Sequence, residues 1–217
     1  MWHTIIINPL TITLHTLLGW TGDIGIAIIL FTIVVKTLLL PINISANRTT
    51  KNIKKIQPHI EKLKVKHKGN NRALGLELSK LYKEHNVKPL SGVLALIIQI
   101  PILIGLYTIL VKEIKTIPDH ITFFNIDVTT PNLLLAVLTF VSMYYLMNIS
   151  SKDMAVADNA SEFQKEFMKM MTVQMKYFLP LIVFITSIFL PAGLTLYFVI
   201  SNLFGIFQYK LIQKIVK

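Results

Sequence analysis

Five long apolar segments, separated by polar connections, dominate the pattern of the chain. A helix needs about 20 mostly apolar residues to cross the hydrocarbon core of a bilayer. Segments of this kind lie at residues 24–42, 90–111, 131–149, 172–190 and 194–212. The last two are separated by Leu190-Pro191-Ala192-Gly193, and proline together with glycine marks a tight reversal. The pattern therefore predicts an all-α membrane protein, a bundle of five transmembrane helices.

Lysine and arginine are distributed unevenly over the connections between these segments. Residues 1–23 contain none, residues 47–88 contain twelve, residues 112–130 contain two and residues 150–171 contain three. Cytoplasmic connections carry an excess of these two residue types. The distribution predicts that the N-terminus lies outside and that the C-terminus lies inside, which requires an odd number of spans. The net charge of +11 in a chain with 53% hydrophobic residues also suggests contact with anionic partners.

The residues before the first apolar segment predict a short helix. Asn8 suits the position that caps a helix, and Pro9 suits its first turn. Leucines then recur at helical spacing, while threonines and a histidine occupy the positions between them. This pattern is typical of an amphipathic helix that lies in the outer interface of a bilayer. The alternative is that these residues extend the first span.

A basic insert follows the first apolar segment. Apolar residues recur every three or four positions on both sides of Gly69-Asn70-Asn71, which predicts an antiparallel helical hairpin. The hairpin is either a solvated helix pair or a contact surface for lipid headgroups, a ribosome or an incoming chain. The candidate contact residues are Lys54, Lys55, Lys62, Lys64 and Lys66. No nucleic-acid motif occurs, so specific nucleic-acid recognition is not expected.

These patterns divide the chain into consecutive parts. An extracytoplasmic interfacial helix (1–23) precedes the first span (24–46), the cytoplasmic basic hairpin (47–89) and the second span (90–111). An extracytoplasmic loop (112–130), the third span (131–149) and a cytoplasmic loop (150–171) come next. The fourth and fifth spans (172–212), with their turn at 190–193, lead to a cytoplasmic tail (213–217).

Lys36 lies within the first apolar segment. A lysine near the centre of a transmembrane helix costs about 2.5–3.5 kcal/mol on insertion scales. None of the five segments contains Asp or Glu, so an ion pair inside the membrane is not available. Either Lys36 extends its ammonium group to the membrane surface, or it faces water inside the bundle.

Other polar residues of the apolar segments favour the second interpretation. Thr32 shares a helix face with Lys36, and Gln99, Thr195 and Asn202 lie on other segments. Because polar groups within a bilayer need partners, these residues predict a water-filled groove with one fixed positive charge. Threonine also serves to pack helix against helix, which is the alternative for these positions taken singly.

Residue types that carry catalytic chemistry are missing from the apolar segments. The chain has no cysteine, and its six histidines lie outside these segments. The zinc-protease, serine-hydrolase and phosphate-loop motifs are also missing. We therefore expect no enzymatic activity, no metal and no other cofactor.

Several short motifs occur in an order that resembles a known family. They are Asn8-Pro9-Leu10, Leu40-Pro41-Ile42, Pro89-Leu90-Ser91-Gly92, Ile98-Gln99-Ile100-Pro101, Leu190-Pro191-Ala192-Gly193-Leu194-Thr195-Leu196-Tyr197 and Ser201-Asn202-Leu203. With a basic residue on the first span and a lysine-rich hairpin, they resemble the YidC/Oxa/Alb family of membrane protein insertases. The chain is similar to the short bacterial form, which lacks the large extracytoplasmic domain of Gram-negative relatives.

This resemblance implies five core helices around a groove that is open to the cytoplasm and the lipid and closed to the outside. The basic groove residue, which attracts acidic parts of substrates, corresponds to Lys36, and Gln99 matches another groove position. Most bacterial relatives have arginine at the first position; lysine keeps the charge but loses the planar fork of donors. The implied function is an insertase and chaperone in the bacterial cytoplasmic (plasma) membrane.

The resemblance also implies partners. Nascent membrane proteins are the expected substrates, and anionic lipids, the ribosome, the signal recognition particle receptor and the Sec translocon are candidates. The short C-terminal tail weighs against strong ribosome docking. One rival function is a small anion channel or transporter centred on Lys36, although no inverted repeat supports it. Another is a membrane-anchored scaffold in which the hairpin acts alone.

Overall fold

Helices make up most of the structure, a computed structural model that describes residues 8–87, 91–113, 122–151 and 162–215. In these ranges the α-helices are α1 (Asn8–Thr21), α2 (Ile24–Leu38), α3 (Leu40–Lys66), α4 (Asn71–Glu84), α5 (Ser91–Thr108), α6 (Leu133–Ser150), α7 (Glu162–Val173), α8 (Leu179–Ser187) and α9 (Ala192–Ile215). A π-helical turn, Ile109–Glu113, extends α5, and a second, Gln174–Phe178, joins α7 to α8. Two short strands, β1 (Thr122–Phe123) and β2 (Ile126–Asp127), pair in antiparallel orientation before α6.

Short polar side chains mark where three of the helices begin. Asp23, Asn70 and Asn132 each precede a helix, and a side-chain oxygen of each accepts a hydrogen bond from the backbone N–H three residues later. The distances are 2.9, 3.0 and 3.1 Å. Because the first N–H groups of a helix have no partner within it, these caps stabilise the starts of α2, α4 and α6.

Pro41 explains why α2 and α3 are separate helices. Proline has no backbone N–H and its ring clashes with the preceding turn, so a straight helix cannot continue from α2. The chain turns at Leu39, whose N–H still donates to the carbonyl of Val35 at 3.0 Å. The two helices differ in direction by 51°. Thus the helix that carries Lys36 ends at Leu38, two residues after that lysine.

Three helical segments are long and apolar enough to cross a membrane: Leu133–Ser150, Lys169–Ser187 and Ala192–Lys214. A fourth candidate is the bent pair Ile24–Leu38 and Leu40–Ile53. The predicted second span at residues 90–111 corresponds to a shorter apolar helix, Ile97–Val111. In the described part of the chain, length and composition therefore identify three or four candidate spans, whereas the sequence pattern predicted five.

The main apolar core lies between α1, α2, α5 and α9. Ile28 and Phe31 of α2, Leu106 of α5 and Tyr197 of α9 are completely buried there. By contrast, α6 and α8 expose many large apolar side chains and bury small polar ones, such as Ser187. This distribution, with apolar residues outside, agrees with helices that face hydrocarbon.

One face of α1 packs against the core. Leu14, Leu17 and Leu18, which the spacing placed on one face, are buried, whereas Ile12 and Trp20 are exposed. Helix α1 therefore has a side that contacts the protein and a side that is free to contact its surroundings. Its position in a membrane interface stays a prediction.

The connection between β2 and α6 binds the N-terminus of α9. The N–H groups of Ala192 and Gly193 donate to the carbonyl oxygens of Thr130 and Val128, both at 2.8 Å. Val128 itself is buried in the main core. These bonds satisfy backbone N–H groups at the start of α9 that have no partner within the helix. They also attach the connection between β2 and α6 to the end of the bundle where α9 begins.

A second, smaller apolar cluster joins α3 to α4. Helix α3 continues through Pro58 to Lys66, and a short turn leads to α4. Ile56, Ile60 and Val87 are buried together, and Leu81 packs against them. The periodic apolar positions of the basic insert therefore meet each other and not the main core.

The C-terminus of α4 places Val87 in this cluster. Asn86 adopts a left-handed conformation with φ of 51°, which asparagine tolerates better than most residues. The N–H of Val87 then reaches back to the carbonyl of Tyr82 at 2.8 Å, and that of Asn86 to Lys83 at 3.2 Å. This arrangement is a Schellman motif, in which the residue after the turn makes an apolar contact.

Gly25 of α2 lies against the ring of Phe123 in β1, and a Cβ atom at Gly25 would overlap that ring. We expect Gly25→Ala to lower the free energy of unfolding by about 1–3 kcal/mol, because overpacking displaces neighbours. The control is Gly19→Ala in α1, where a Cβ atom meets nothing within 4 Å. Alanine at that position should stabilise the protein by about 0.5–1 kcal/mol. Unfolding in one detergent tests both variants, and equal stabilities would contradict the packing of β1 on α2.

Candidate functional site

Lys36 is half-buried near the end of α2, just before the bend at Leu39. Its Nζ donates a hydrogen bond to Oε1 of Gln99 on α5 at 3.5 Å, a long distance for such a bond. Among the described residues, no carboxylate pairs with Lys36. The charge is therefore held by an amide oxygen and is not neutralised within the described part of the protein.

Gln99 connects Lys36 to α9. Its Nε2 donates to the hydroxyl oxygen of Tyr197 at 2.7 Å, and Tyr197 is completely buried. Ser201, one turn further along α9, is buried as well. A chain of polar groups thus runs from Lys36 through Gln99 to Tyr197, and it links α2, α5 and α9 inside the apolar bundle.

A second group of polar contacts joins α6 to α9. Nδ2 of Asn202 donates to Oγ of Ser142 at 3.1 Å and, at 3.5 Å, to the carbonyl oxygen of Thr139. The hydroxyl of Thr139 in turn donates to the carbonyl of Thr195 at 3.3 Å. These bonds satisfy polar groups that face between two apolar helices, where an unpaired group would be costly.

The structure separates the five groove residues that the sequence pattern selected. Lys36 and Gln99 contact each other, whereas Asn202 belongs to the group on α6 and α9. Thr32 and Thr195 are completely buried. Their hydroxyls donate to carbonyl oxygens one turn earlier in the chain, at 2.6 and 3.3 Å. Such bonds satisfy a threonine hydroxyl without a side chain from another helix, and neither hydroxyl is bonded to Lys36 or Gln99.

Sequence reasoning did not assign a role to Tyr197, Gln208 or Gln213, which the structure pairs with other polar residues. Tyr197 is one of them, although it lies within a quoted motif. Nδ2 of Asn43 donates to Oε1 of Gln208 at 3.4 Å, and Nζ of Lys51 donates to Oε1 of Gln213 at 2.9 Å. Tyr197, Ser201 and Gln208 are spaced by four and seven residues, which places them on one face of α9. This helical spacing of polar residues was the signal in the sequence that could have identified them.

Comparison with known proteins identifies the family. The family model described as "60Kd inner membrane protein" matches residues 16–217. A protein named membrane protein insertase YidC from Fusobacterium nucleatum subsp. nucleatum is 32% identical over 205 residues, which cover 94% of this chain and 93% of that protein. The chain belongs to the YidC family of membrane protein insertases. The resemblance inferred from the motifs is thereby confirmed.

Other YidC proteins are considerably longer. The insertase YidC of Buchnera aphidicola subsp. Baizongia pistaciae is 31% identical over 215 residues, which are 98% of this chain but 38% of that protein. A structure titled "Active YidC insertase crystal structure with the first transmembrane domain resolved" matches with a TM-score of 0.61 and 26% identity. The match covers 97% of this chain and 46% of the crystallised chain. This chain thus spans less than half the length of these two YidC proteins.

The family name also bears on location and chemistry. The YidC relatives are bacterial and the family description names the inner membrane, which agrees with the candidate spans. Insertases are not a class of catalytic enzymes. In the described part of the chain, no group of three or more His, Asp or Glu side chains is arranged to hold a metal ion.

Most of the hairpin lysines selected from the sequence are exposed. Lys55, Lys62, Lys64 and Lys66 all project from α3 into the surroundings. The side chain of Lys54 lies outside the described residues. Nearby, Lys80 and Glu77 of α4 form an ion pair at 3.9 Å, a contact on an exposed surface that contributes little. Lys55, Lys62 and Lys66 are spaced by seven and four residues and share one face of α3, whereas Lys64 lies on the other side.

The bond between Gln99 and Tyr197 can be tested with a double-mutant cycle. Gln99→Leu leaves a tyrosine hydroxyl without its donor, and Tyr197→Phe leaves an amide without its acceptor. Each should lower the free energy of unfolding by about 1–3 kcal/mol, because unpaired buried polar groups carry that cost. The double variant should lose about 1 kcal/mol less than the sum of the two. Denaturant unfolding in detergent provides the values, and strictly additive losses would show that the two side chains do not interact.

Proposed function

We propose that this chain, a membrane protein insertase of the YidC family, moves short polar segments of nascent membrane proteins through a hydrophilic groove around Lys36. The single observation that supports this is the environment of its ammonium group. It lies inside an apolar bundle, it contacts an amide oxygen, and no carboxylate of the described residues pairs with it. An uncompensated cation in such a position attracts an acidic group that enters from water.

The groove lowers the cost of moving a polar segment. A charged or polar segment that crosses 30 Å of hydrocarbon pays a large desolvation cost. Water and polar side chains around Lys36 and Gln99 replace part of the lost hydration, and the positive charge attracts an acidic tail. The apolar part of the substrate then leaves between α2 and α6 into the lipid. No energy source is required, because burial of the apolar segment in the bilayer is itself favourable.

The same proposal includes five spans, with the N-terminus outside and the C-terminus in the cytoplasm. The charge distribution supports this orientation, since the first 23 residues lack Lys and Arg and the hairpin region is rich in them. The groove opens toward the cytoplasm and the lipid. Its closure on the other side is supported by the hydrogen bonds of Thr130 and Val128 to the start of α9.

The basic helices α3 and α4 form, in this proposal, an antiparallel cytoplasmic hairpin that contacts negatively charged surfaces. Four exposed lysines on α3, and Lys54 with them, are suited to anionic lipids, a ribosome or acidic parts of an incoming chain. The signal recognition particle receptor and the Sec translocon are further candidate partners. Helix α1 would lie in the outer interface, with its buried leucines toward the bundle.

Replacing Lys36 tests the role of the charge. The protein is placed in liposomes with a single-span substrate that carries an acidic outer tail, and protection of the tail from protease is measured. Lys36→Ala should reduce the insertion rate about 20-fold, since a charge pair about 10 Å apart at an effective dielectric of 20 contributes ~1.7 kcal/mol. Lys36→Arg should insert normally, because it keeps the charge.

The controls separate this effect from folding and from a channel. Lys214→Ala removes an equal charge from the exposed last turn of α9 and should leave insertion unchanged. A substrate with a neutral tail should depend less on Lys36. Anion flux without substrate should equal that of empty liposomes. Insertion by Lys36→Ala at the wild-type rate would contradict the charged groove, and activity no higher than in empty liposomes for the wild type would contradict the function.

Ionic strength tests the hairpin surface separately. In a variant with Lys55, Lys62, Lys64 and Lys66 changed to Gln, insertion at low salt should slow about threefold, since surface charges accelerate encounters. At about 0.5 M salt the variant and the wild type should be equal, because the screening length falls to a few ångströms. The matched control changes the same residues to Arg and should behave as the wild type at both salt concentrations. A variant that is unimpaired at low salt would show that these lysines do not contribute.

A further inference from the structure

A second lysine lies within an apolar helical segment and is not part of the hydrogen-bonded group formed by Lys36, Gln99 and Tyr197. Lys176 belongs to the π-helical turn Gln174–Phe178 and is the eighth residue of the candidate span Lys169–Ser187. The sequence pattern began the fourth span at residue 172, but α7 extends the helix back to Glu162. Lys176 is therefore two turns inside the apolar segment. π-Helical turns within long helices are frequent at functional sites.

The ammonium group of Lys176 lies against two tyrosine rings. Its Nζ is 6.0 Å from the ring centre of Tyr144 on α6 and 5.3 Å from that of Tyr177. The two ring centres are 5.7 Å apart. Among the described residues no carboxylate pairs with Lys176. Attraction to the rings stabilises the cation from one side but leaves its charge without a counter-ion.

Aromatic side chains continue from this point along the contact between α6 and α8. The ring of Tyr144 stacks on Phe140 at 6.2 Å, and Phe140 meets Phe184 edge-on at 5.8 Å. Along this line the side chains change from purely apolar rings, to rings with hydroxyl donors, to an ammonium group. That order matches the order of an acyl chain, a glycerol backbone and a phosphate in a phospholipid.

An open apolar cleft adjoins the same residues. Its volume is about 500 Å³, and its lining residues are Met170, Val173, Gln174, Tyr177, Phe178 and Leu181. Tyr177 thus belongs both to the cleft and to the ring pair around Lys176. The lining side chains are largely exposed on the outer surface of the bundle. A ligand therefore reaches the cleft from the surrounding lipid and not through the interior of the bundle around Lys36.

We propose that Lys176, Tyr144 and Tyr177 bind the phosphate of an anionic phospholipid, whose acyl chain lies along the adjoining apolar surface. A lysine side chain on a helix points toward the N-terminal end, here toward the Lys169 end of the span, and its long stem reaches the level of the headgroups. The ammonium group and the tyrosine hydroxyls then donate to phosphate oxygens. In the proposed orientation this site lies in the cytoplasmic leaflet, where the K/R-rich side of the protein meets anionic lipid.

Lipid retention tests this site. The purified protein in a neutral detergent is incubated with phosphatidylglycerol or with phosphatidylcholine of the same acyl chains, and bound lipid is counted by native mass spectrometry. Lys176→Gln should weaken binding of phosphatidylglycerol about fivefold, the value of one cation near an anionic headgroup, and leave phosphatidylcholine unchanged. The matched control is Lys214→Gln, an equal change of charge in the exposed last turn of α9, which should bind both lipids as the wild type does.

Two further variants keep the proposal testable if Lys176→Gln folds poorly. Lys176→Arg should retain the preference for phosphatidylglycerol, and Tyr144→Phe with Tyr177→Phe, which keeps both rings and the charge, should weaken binding about fivefold through the loss of two donors. Equal retention of phosphatidylglycerol by Lys176→Gln and the wild type would overturn the proposal. The proposal would also be overturned if Lys176→Gln retained phosphatidylglycerol as the wild type does but inserted an acidic substrate more slowly. The site would then serve the substrate and not a lipid.

Discussion

A cation inside an apolar helix bundle must be stabilised by neutral oxygen atoms when no carboxylate is within reach. Lys36 is in this position, and the amide of Gln99 is the group that the structure places beside it. Gln99 in turn is oriented by a completely buried tyrosine hydroxyl. Because each polar group in a low-dielectric interior needs a partner, the chain of contacts from α2 through α5 to α9 depends on the presence of that charge.

Helix α9 is the element on which most of these contacts converge. It packs against α2, α3, α5 and α6, and it supplies polar side chains to both of the polar groups described above. Close packing at its start depends on Gly193, where a Cβ atom would come within 2.9 Å of Leu110 and 3.1 Å of Ile28. Its first N–H groups are satisfied by the connection before α6. Helix α9 therefore links the two groups of polar side chains inside the bundle to the connection between β2 and α6.

The bend at Leu39 connects α2 to the basic helices α3 and α4. Beyond it, Asn43 and Lys51 of α3 bond to Gln208 and Gln213 near the end of α9. Helix α3 thus begins in contact with the bundle, whereas the cluster that it forms with α4 around Ile56 and Ile60 is separate from the main core. The exposed lysines of α3 are in this way on a helix that follows directly after the one that carries Lys36.

The sequence by itself determined the family and the helical class, and it located both the lysine-rich segment and Lys36, a lysine in an apolar segment without Asp or Glu. These properties are local, since they follow from composition, from spacing along one helix and from short motifs. It did not determine which polar residues meet. Thr32 and Gln99 are equally polar in an apolar segment, yet Thr32 is satisfied by its own helix and Gln99 reaches across to Lys36. The roles of Tyr197 and Lys176 likewise depend on neighbours from distant parts of the chain. Only the packing of α2, α5, α6, α8 and α9 decided these contacts, because a hydrogen bond or a ring contact requires atoms to approach within a few ångströms.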